Sequence, residues 1–138
     1  MNRGITIIEL LLVIAIISTL GIFSASFYAR FLTQNAVENT QNQLVNSFRK
    51  AQIYSMMGKQ NGTWGVRYTP NQITLYLVGN SSFDEIFDLN DNVTVTTFDI
   101  TFAKITGLPS STVNITITGG NNTKTVTINN QGVVSKTN

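Results

Sequence analysis

One carboxylate stands inside the most apolar stretch of this sequence. The run from Ile5 to Phe23, ITIIELLLVIAIISTLGIF, carries a single charged side chain, Glu9. A carboxylate in the hydrocarbon of a membrane costs about 3 kcal/mol even on lenient insertion scales, so such a group is kept where it has a partner. The chemistry that Glu9 predicts is therefore the pairing of opposite charges in an apolar setting.

The residue types that most enzymes depend on are missing. The sequence has no Cys and no His, which removes the thiol nucleophile, the commonest general base and the usual transition-metal ligands. No Ser motif with a partner base is present either. We therefore expect no catalytic residue, no cofactor and no metal centre, and an enzyme tethered by its N-terminus is the least favoured alternative.

A cluster of carboxylates between Phe83 and Asn92 is the single candidate for a metal site. Ca²⁺ takes six to eight oxygen ligands, but apolar residues such as Ile86 and Phe87 interrupt the cluster. This pattern favours a short helix or an anchored loop over a calcium loop. The carboxylates concerned are Asp84, Glu85, Asp88 and Asp91.

The basic residues give little support for nucleic-acid binding. The net charge is only +2, and the basic residues are scattered apart from the adjacent Arg49 and Lys50. A dedicated nucleic-acid binder usually has a clustered basic surface. Solvated side chains are the favoured interpretation, and a basic face for DNA is the alternative; it would use Arg49, Lys50, Lys59, Arg67, Lys104, Lys124 and Lys136.

The element that must position Glu9 is a helix. The apolar run has nearly the 20 residues that a helix needs to cross a bilayer. A removed secretory signal, ending near Ser24–Ser26, and a plain single-span anchor are the two alternatives. The run is long for a removed signal, and Glu9 is hard to explain in either. Arg3 places the first residues in the cytoplasm and the chain after about residue 30 outside it.

These residues resemble a known processing signature. Arg3-Gly4, then four mostly apolar residues from Ile5, then Glu9 and a long apolar helix, resemble the cleavage and methylation signature of type IV prepilins and type II secretion pseudopilins. The resemblance is close over about the first thirty residues. Here the leader has only four residues, and a proline common late in the family's apolar stretch is absent, so the helix is expected to be straight or kinked at Gly21.

The resemblance implies a maturation pathway and partners. It implies that prepilin peptidase cuts after Gly4 and methylates the new amino group of Ile5. It also implies that the mature chain joins other pilin or pseudopilin subunits through an inner-membrane assembly platform. We expect a single-pass protein of the inner membrane with a short cytoplasmic leader and an outward-facing C-terminal domain, which assembles into a pilus or pseudopilus.

Cleavage would give Glu9 a partner. The new Ile5 amine and Glu9 are four residues apart and share a helix face, and opposite charges attract strongly in a low dielectric. We expect the amine of one subunit to meet Glu9 of a neighbour, which would set the register of helices in the filament. The alternatives are that Glu9 pairs with its own chain's terminus or faces headgroups. Gly4 would serve as a small residue at the scissile bond.

The first helix is predicted to extend well beyond the apolar run. Val37, Leu44, Phe48 and Ala51 share one helix face, and Gly58 is typical of a helix end. A helix from Ile5 to Met57 would be roughly 80 Å long.

Two further groups on this helix leave alternatives open. The small residues Gly21, Ala25 and Ala29 recur every fourth position, which either allows close helix packing or reflects ordinary composition. The aromatic residues Phe27, Tyr28 and Phe31 either form an interfacial belt or pack in a core or filament.

Period-two alternation begins at Trp64 and predicts strands. Two strands, 64–68 and 73–77, flank a Pro70-Asn71 turn, and 79–82 is interpreted as a loop. Residues 93–102 suggest a bulge or two short strands. Strands starting at Val113 and ending at Ile128 form a hairpin across Gly119–Asn122, and Val133-Val134 is a last strand.

The predicted fold is α+β and pilin-like, with the long N-terminal helix packed on one C-terminal antiparallel sheet. Its parts are a leader (1–4), a transmembrane and filament-core helix (5–30) and a soluble domain (31–138). The stretch 44–67 resembles minor pseudopilins of the H type. The expected function is that of a structural filament subunit, and the alternative is an adhesive or DNA-binding minor pilin at a filament tip.

Overall fold

A computed structural model describes residues 5–137, except for the side chains at positions 23–26. The first helix, α1, spans Ile7–Met56, within two residues of the prediction at either end. The chain divides into two compact units, Met1–Leu32 and Thr33–Asn138.

The end of α1 is set by a glycine, as predicted. Gly58 has φ +61°, a left-handed conformation that an L side chain seldom adopts, and its N–H donates to the Ser55 carbonyl at 3.0 Å. A single turn of 3₁₀ helix, Lys59–Asn61, follows. The chain then enters the first strand.

The second unit contains eight strands in two antiparallel sheets. The first sheet has the order β3-β2-β1-β5 and the second has the order β4-β6-β7-β8. The strands are β1 (Trp64–Thr69), β2 (Gln72–Leu77), β3 (Asn80–Asp88), β4 (Thr94–Val95), β5 (Asp99–Phe102), β6 (Val113–Gly119), β7 (Asn122–Ile128) and β8 (Val134–Thr137). The class is α+β, as predicted, but the expected single sheet is two sheets.

The two predicted hairpins are present in the expected register. In the first, Trp64 pairs with Leu77 and Thr69 with Gln72, so the turn is Pro70-Asn71. In the second, Ile115 pairs with Val126 and Gly119 with Asn122. Gly120 at φ +57° supplies the left-handed residue that a two-residue hairpin turn requires.

The predicted apolar face of α1 forms the centre of the core. Val37, Leu44, Phe48 and Ala51 are all fully buried. They belong to one cluster that includes Trp64 and Val66 from the first sheet and Ile115 and Val126 from the second. Since both sheets have apolar residues in this one cluster, α1 is the element that both sheets pack against.

Polar side chains of α1 also bond to both sheets. The buried Gln41 amide donates to the Thr125 carbonyl of β7 at 3.1 Å and to the Thr137 carbonyl of β8 at 3.2 Å. The Ser55 hydroxyl accepts the Trp64 N–H of β1 at 2.9 Å. Buried polar groups are costly unless they are bonded in this way, so these contacts fix where the sheets lie along α1.

Residues 79–102 are the part of the fold that the sequence predicted least well. The expected loop at 79–82 and the expected short helix or loop at 83–92 are wrong over most of their length, because residues 80–88 form the edge strand β3. Residues 93–102 form two short strands, one of the two predicted options, and these strands belong to different sheets. The last strand begins at Val134, one residue later than predicted.

Candidate functional site

The N-terminus of α1 is organised by Thr6 and Glu9. Thr6 stands directly before the helix, and its hydroxyl accepts the Glu9 N–H at 3.3 Å. A Thr followed three residues later by Glu is the capping-box pattern, and an acidic side chain in the first turn also interacts favourably with the helix dipole. Sequence reasoning missed this local role for Glu9, although the spacing of the two residues was the signal for it.

The predicted cleavage site straddles the start of the described chain. Gly4 lies outside the described residues, as does the rest of the predicted leader, 1–4. Ile5 is described and is 77% exposed. The processing and methylation of this site remain predictions.

The first unit exposes an unusually large apolar surface. Nearly every large apolar residue between Ile7 and Ile22 is at least half exposed. Among the described residues, α1 is the one helix long and apolar enough to span a membrane, and none of its most apolar window is buried. Apolar surface of this extent normally marks contact with a membrane or with other proteins, so the chain's own fold leaves this segment without an apolar cover.

Hydroxyl groups inside the apolar segment bond back to their own helix. Ser18 Oγ donates to the Ile14 carbonyl at 2.7 Å, and Thr19 Oγ1 donates to the Ile16 carbonyl at 2.8 Å. Such a bond gives the hydroxyl a hydrogen-bond partner without water. In an apolar environment every polar group needs a partner of this kind. The segment therefore presents a surface that is compatible with hydrocarbon apart from Glu9.

The small residues and the aromatic residues for which the sequence left two interpretations open also lie on α1. Phe27, Tyr28 and Phe31 are each more than half exposed, so they do not pack in the core of their own chain. A Cβ at Gly21 would meet nothing within 4 Å, which leaves that face open for a neighbouring helix. The Ala25 side chain lies outside the described part.

The predicted acidic cluster does not converge on one point. Its carboxylates lie along β3 and the turn after it, where Glu85 pairs with Lys50 at 2.5 Å and Asp84 with Arg67 at 3.5 Å. Asp88 accepts from Gln72 and Asp91 from Asn71, both at 2.9 Å. The described residues contain no group of three potential metal-ligating side chains.

The basic side chains are distributed over the second unit and mostly have local partners. Besides the two pairs with β3, Lys124 lies 3.9 Å from Glu38. Lys59 lies 3.5 Å from the centre of the Tyr54 ring. The hydrogen bond to Glu85 is the largest of the effects that raise the pKa of Lys50. Carboxylates therefore pair with Lys50, Arg67 and Lys124, whereas Lys59 and Lys104 form no ion pair within the described residues.

A polar arrangement that the sequence did not predict lies on the outer face of the first sheet. The Tyr76 ring covers Gly65, where an added Cβ would lie 2.8 Å from Tyr76 Cζ. Its hydroxyl donates to Asp99 at 2.5 Å, and Arg67 lies 4.8 Å from the ring centre. Burial, and then the bond to Asp99, raises the pKa of Tyr76. A neutral phenol held in this way strengthens the sheet and lacks the reactivity of a phenolate.

No protein-family model, curated protein or solved structure matches this chain significantly.

Proposed function

We propose that this chain is a prepilin-like structural subunit of a type IV pilus or a type II secretion pseudopilus. In this proposal it is cleaved after Gly4, methylated at Ile5 and assembled into a helical filament through the apolar part of α1. The observation that carries the proposal is the exposed apolar surface of residues 7–22, with Glu9 near its start. The same helix continues into the core of a folded α+β unit.

The proposal also explains where that surface is covered. Before assembly, the bilayer covers the apolar segment of a single-pass protein, with the leader in the cytoplasm and the second unit on the outer side of the inner membrane. After extraction, the same segments of neighbouring copies cover one another in the filament. A head-to-tail association that does not close gives such a filament.

Glu9 has two roles that must be separated. Its N–H completes the local cap with Thr6, while its carboxylate would pair with the Ile5 amine of a neighbouring subunit in the filament. Either charge alone in an apolar bundle is costly, whereas the pair is much less so. The pairing would therefore favour assembly in one register.

Cleavage is tested by enlarging the residue at the scissile bond. The full chain and a Gly4→Val variant are expressed with a prepilin peptidase, and the N-terminus of each extracted protein is measured by mass spectrometry. We expect a methylated Ile5 terminus for the parent chain and an uncleaved terminus for the variant. A variant that still begins at Ile5, or a parent that is never cut there, contradicts the proposal.

The charge on Glu9 is tested with two substitutions. Glu9→Gln keeps a side chain suited to the third position of a capped helix but has no charge, whereas Glu9→Asp keeps the charge on a shorter side chain. Assembly is measured by cross-linking copies through Leu12→Cys in this cysteine-free chain. We expect Glu9→Gln to lose most of the cross-linked ladder and Glu9→Asp to retain more of it. Equal ladders in the parent chain and Glu9→Gln would show that assembly does not need the charge of Glu9.

An adhesive or DNA-binding minor pilin is the weaker alternative. Lys50, Arg67 and Lys124 are engaged with carboxylates of their own chain, and that pairing weakens the basic face on which the alternative depends.

A further inference from the structure

The two ends of the second unit have different surfaces. At one end, which we call the groove end, Ala36, Asn39 and Thr40 of α1 lie beside residues 86–90. At the other, which we call the knob end, Met56 and the end of α1 lie beside residues 104–108. Twenty residues of α1 separate Ala36 from Met56, so the two ends are about 30 Å apart.

The groove end contains an open depression with a mixed lining. It has a volume of about 520 Å³; its apolar lining residues are Ala36, Ile86, Phe87 and Leu89, and its polar lining residues are Asn39, Thr40, Gln43, Asp88 and Asn90. Ile86 is 58% exposed. Depressions of this size hold small ligands or a few side chains of a partner.

The knob end is an apolar projection held in a fixed conformation. Ile105 is 72% exposed and has φ +73°, which is a genuine outlier for a β-branched residue. Its N–H donates to the Ser55 carbonyl at 3.0 Å. A Cβ on the neighbouring Gly107 would lie 2.5 Å from Met56 Cγ, so this loop packs tightly on the end of α1. Other large apolar side chains at the end of α1 and in the loops of this unit are also exposed: Met56, Met57, Leu108 and Val133.

Unpaired charges of opposite sign flank these two surfaces. At the groove end, Asp88 and Asp91 bond only to the neutral amides of Gln72 and Asn71. At the knob end, the Lys104 ammonium bonds to the Asn61 amide oxygen, and Lys59 lies over an aromatic ring. Within the described residues, none of these four charged groups forms an ion pair. Each end therefore lacks the counter-charge that the other end carries.

We propose that the knob end of one copy docks into the groove end of a second copy. Ile105 enters the depression beside Ile86, and Lys104 and Lys59 approach Asp88 and Asp91. An apolar projection that fits a depression elsewhere on the same molecule gives a heterologous contact that repeats without closing. This inference rests on the proposed function, since the anchored helices bring the copies together, and it names the contact that the second units then make.

The contact is tested with cysteines in the full chain, which has none of its own. Ile105→Cys and Asn39→Cys variants with different tags are expressed together with the filament-assembly machinery, and the filament fraction is oxidised mildly. A disulfide needs Cα atoms within about 7 Å, so it reports a direct contact. We expect a mixed disulfide between the two variants and almost none when either variant is expressed alone.

Matched controls separate this contact from other associations. Ser135→Cys, on the exposed side of β8, replaces Ile105→Cys and should give no mixed disulfide with Asn39→Cys. A disulfide formed by Ile105→Cys alone would show a symmetric knob-to-knob contact and would overturn the inference. Cross-linking through Leu12→Cys without the mixed disulfide would overturn it while leaving the proposed function intact. Absence of both cross-links would count against both.

A charge exchange tests the role of the flanking groups. Lys104→Glu in the Ile105→Cys partner should lower the yield of mixed disulfide roughly two- to fivefold, the range expected for exposed ion pairs. Asp91→Lys in the Asn39→Cys partner should restore part of that yield. Unchanged yields in both variants would overturn the electrostatic part of the inference. A further decrease in yield when Asp91→Lys is added to Lys104→Glu would overturn it as well.

Discussion

Tyr76 and Lys50 make the second unit lose stability at alkaline pH. The pKa of Tyr76 is raised by burial and by its bond to Asp99, and that of Lys50 is raised chiefly by its bond to Glu85. Above the ordinary pKa of tyrosine and lysine, about 10, the unfolded chain releases protons that the folded chain keeps. The stabilisation is therefore complete below about pH 10 and is lost as the pH rises through the folded values.

We expect the free energy of unfolding to fall as the pH rises above about 10, and Tyr76→Phe should make that fall shallower. Denaturant unfolding at a series of pH values measures this. An ultraviolet titration compares the ionisation of tyrosines in the parent chain and in Tyr76→Phe. We expect the ionisation at the highest pH to be absent from the variant. Tyr28→Phe, which alters an exposed ring of the first unit, is the control and should leave the slope unchanged.

At the residue scale, the sequence singles out Glu9 but does not reveal as readily the local structure around it. Glu9 stands out because one carboxylate interrupts an apolar run, and no fold is needed to see that. Its cap with Thr6 follows from a four-residue pattern that the more conspicuous charge argument obscured. The partner proposed for its carboxylate belongs to a second molecule, which the fold of one chain does not determine.

Helix α1 is the element on which the second unit depends. Phe48 is fully buried, and its ring centre lies 5.3 Å from that of Phe98 and 6.4 Å from that of Phe102. Phe48 therefore joins α1 to β5 of the first sheet and to Phe98, which directly precedes β5. Loss of this side chain leaves a cavity that the surrounding aromatic rings can fill only in part.

We expect Phe48→Ala to lower the free energy of unfolding by about 3–5 kcal/mol, the usual cost of deleting a buried aromatic side chain. Arg49→Ala, at the exposed position next to it, should change stability by less than about 0.5 kcal/mol. Chemical denaturation of the two variants under identical conditions measures the difference. Equal losses would mean that the helix face has been assigned incorrectly.

The elements that the sequence predicted correctly are those determined by local patterns. The face from Val37 to Ala51 follows helical spacing, and both hairpins have alternating apolar residues and turn residues at their tips. The edge strand β3 was missed because it pairs only with β2 and leaves most of one face in solvent, so its apolar alternation is weak. The division into two sheets depends on the pairing of β1 with β5 and β4 with β6, contacts that no local pattern encodes.

At the scale of the whole molecule, the core and the exposed apolar surface lie in different units. Every described residue of the core cluster lies after position 33, starting with Val37. The residues that would need a membrane or a filament lie before it. We therefore expect the second unit to fold without the apolar segment.

We expect a fragment of residues 33–138 to stay in solution and to unfold cooperatively. Its midpoint of thermal unfolding should lie within about 4 °C of that of the full chain in detergent, a shift worth less than about 1 kcal/mol in a domain of this size. Size-exclusion chromatography and calorimetry provide the two measurements. An aggregated fragment without a cooperative transition would show that the apolar segment contributes to the core.

The two open sheets leave four strands with an unpaired side, and each of these strands resists extension by another chain. β4 has two residues and β5 has four. Both strands are too short to form a long ladder of hydrogen bonds with a strand of another chain. β3 carries Asp84, Glu85 and Asp88, and β8 carries Lys136, and charged residues on an edge oppose strand addition. If the copies assemble as proposed, their high local concentration in a filament would raise the risk of irreversible β-aggregation. Such edges would oppose joining of the copies through their sheets and leave association to the proposed contacts of the helices and of the ends of the second unit.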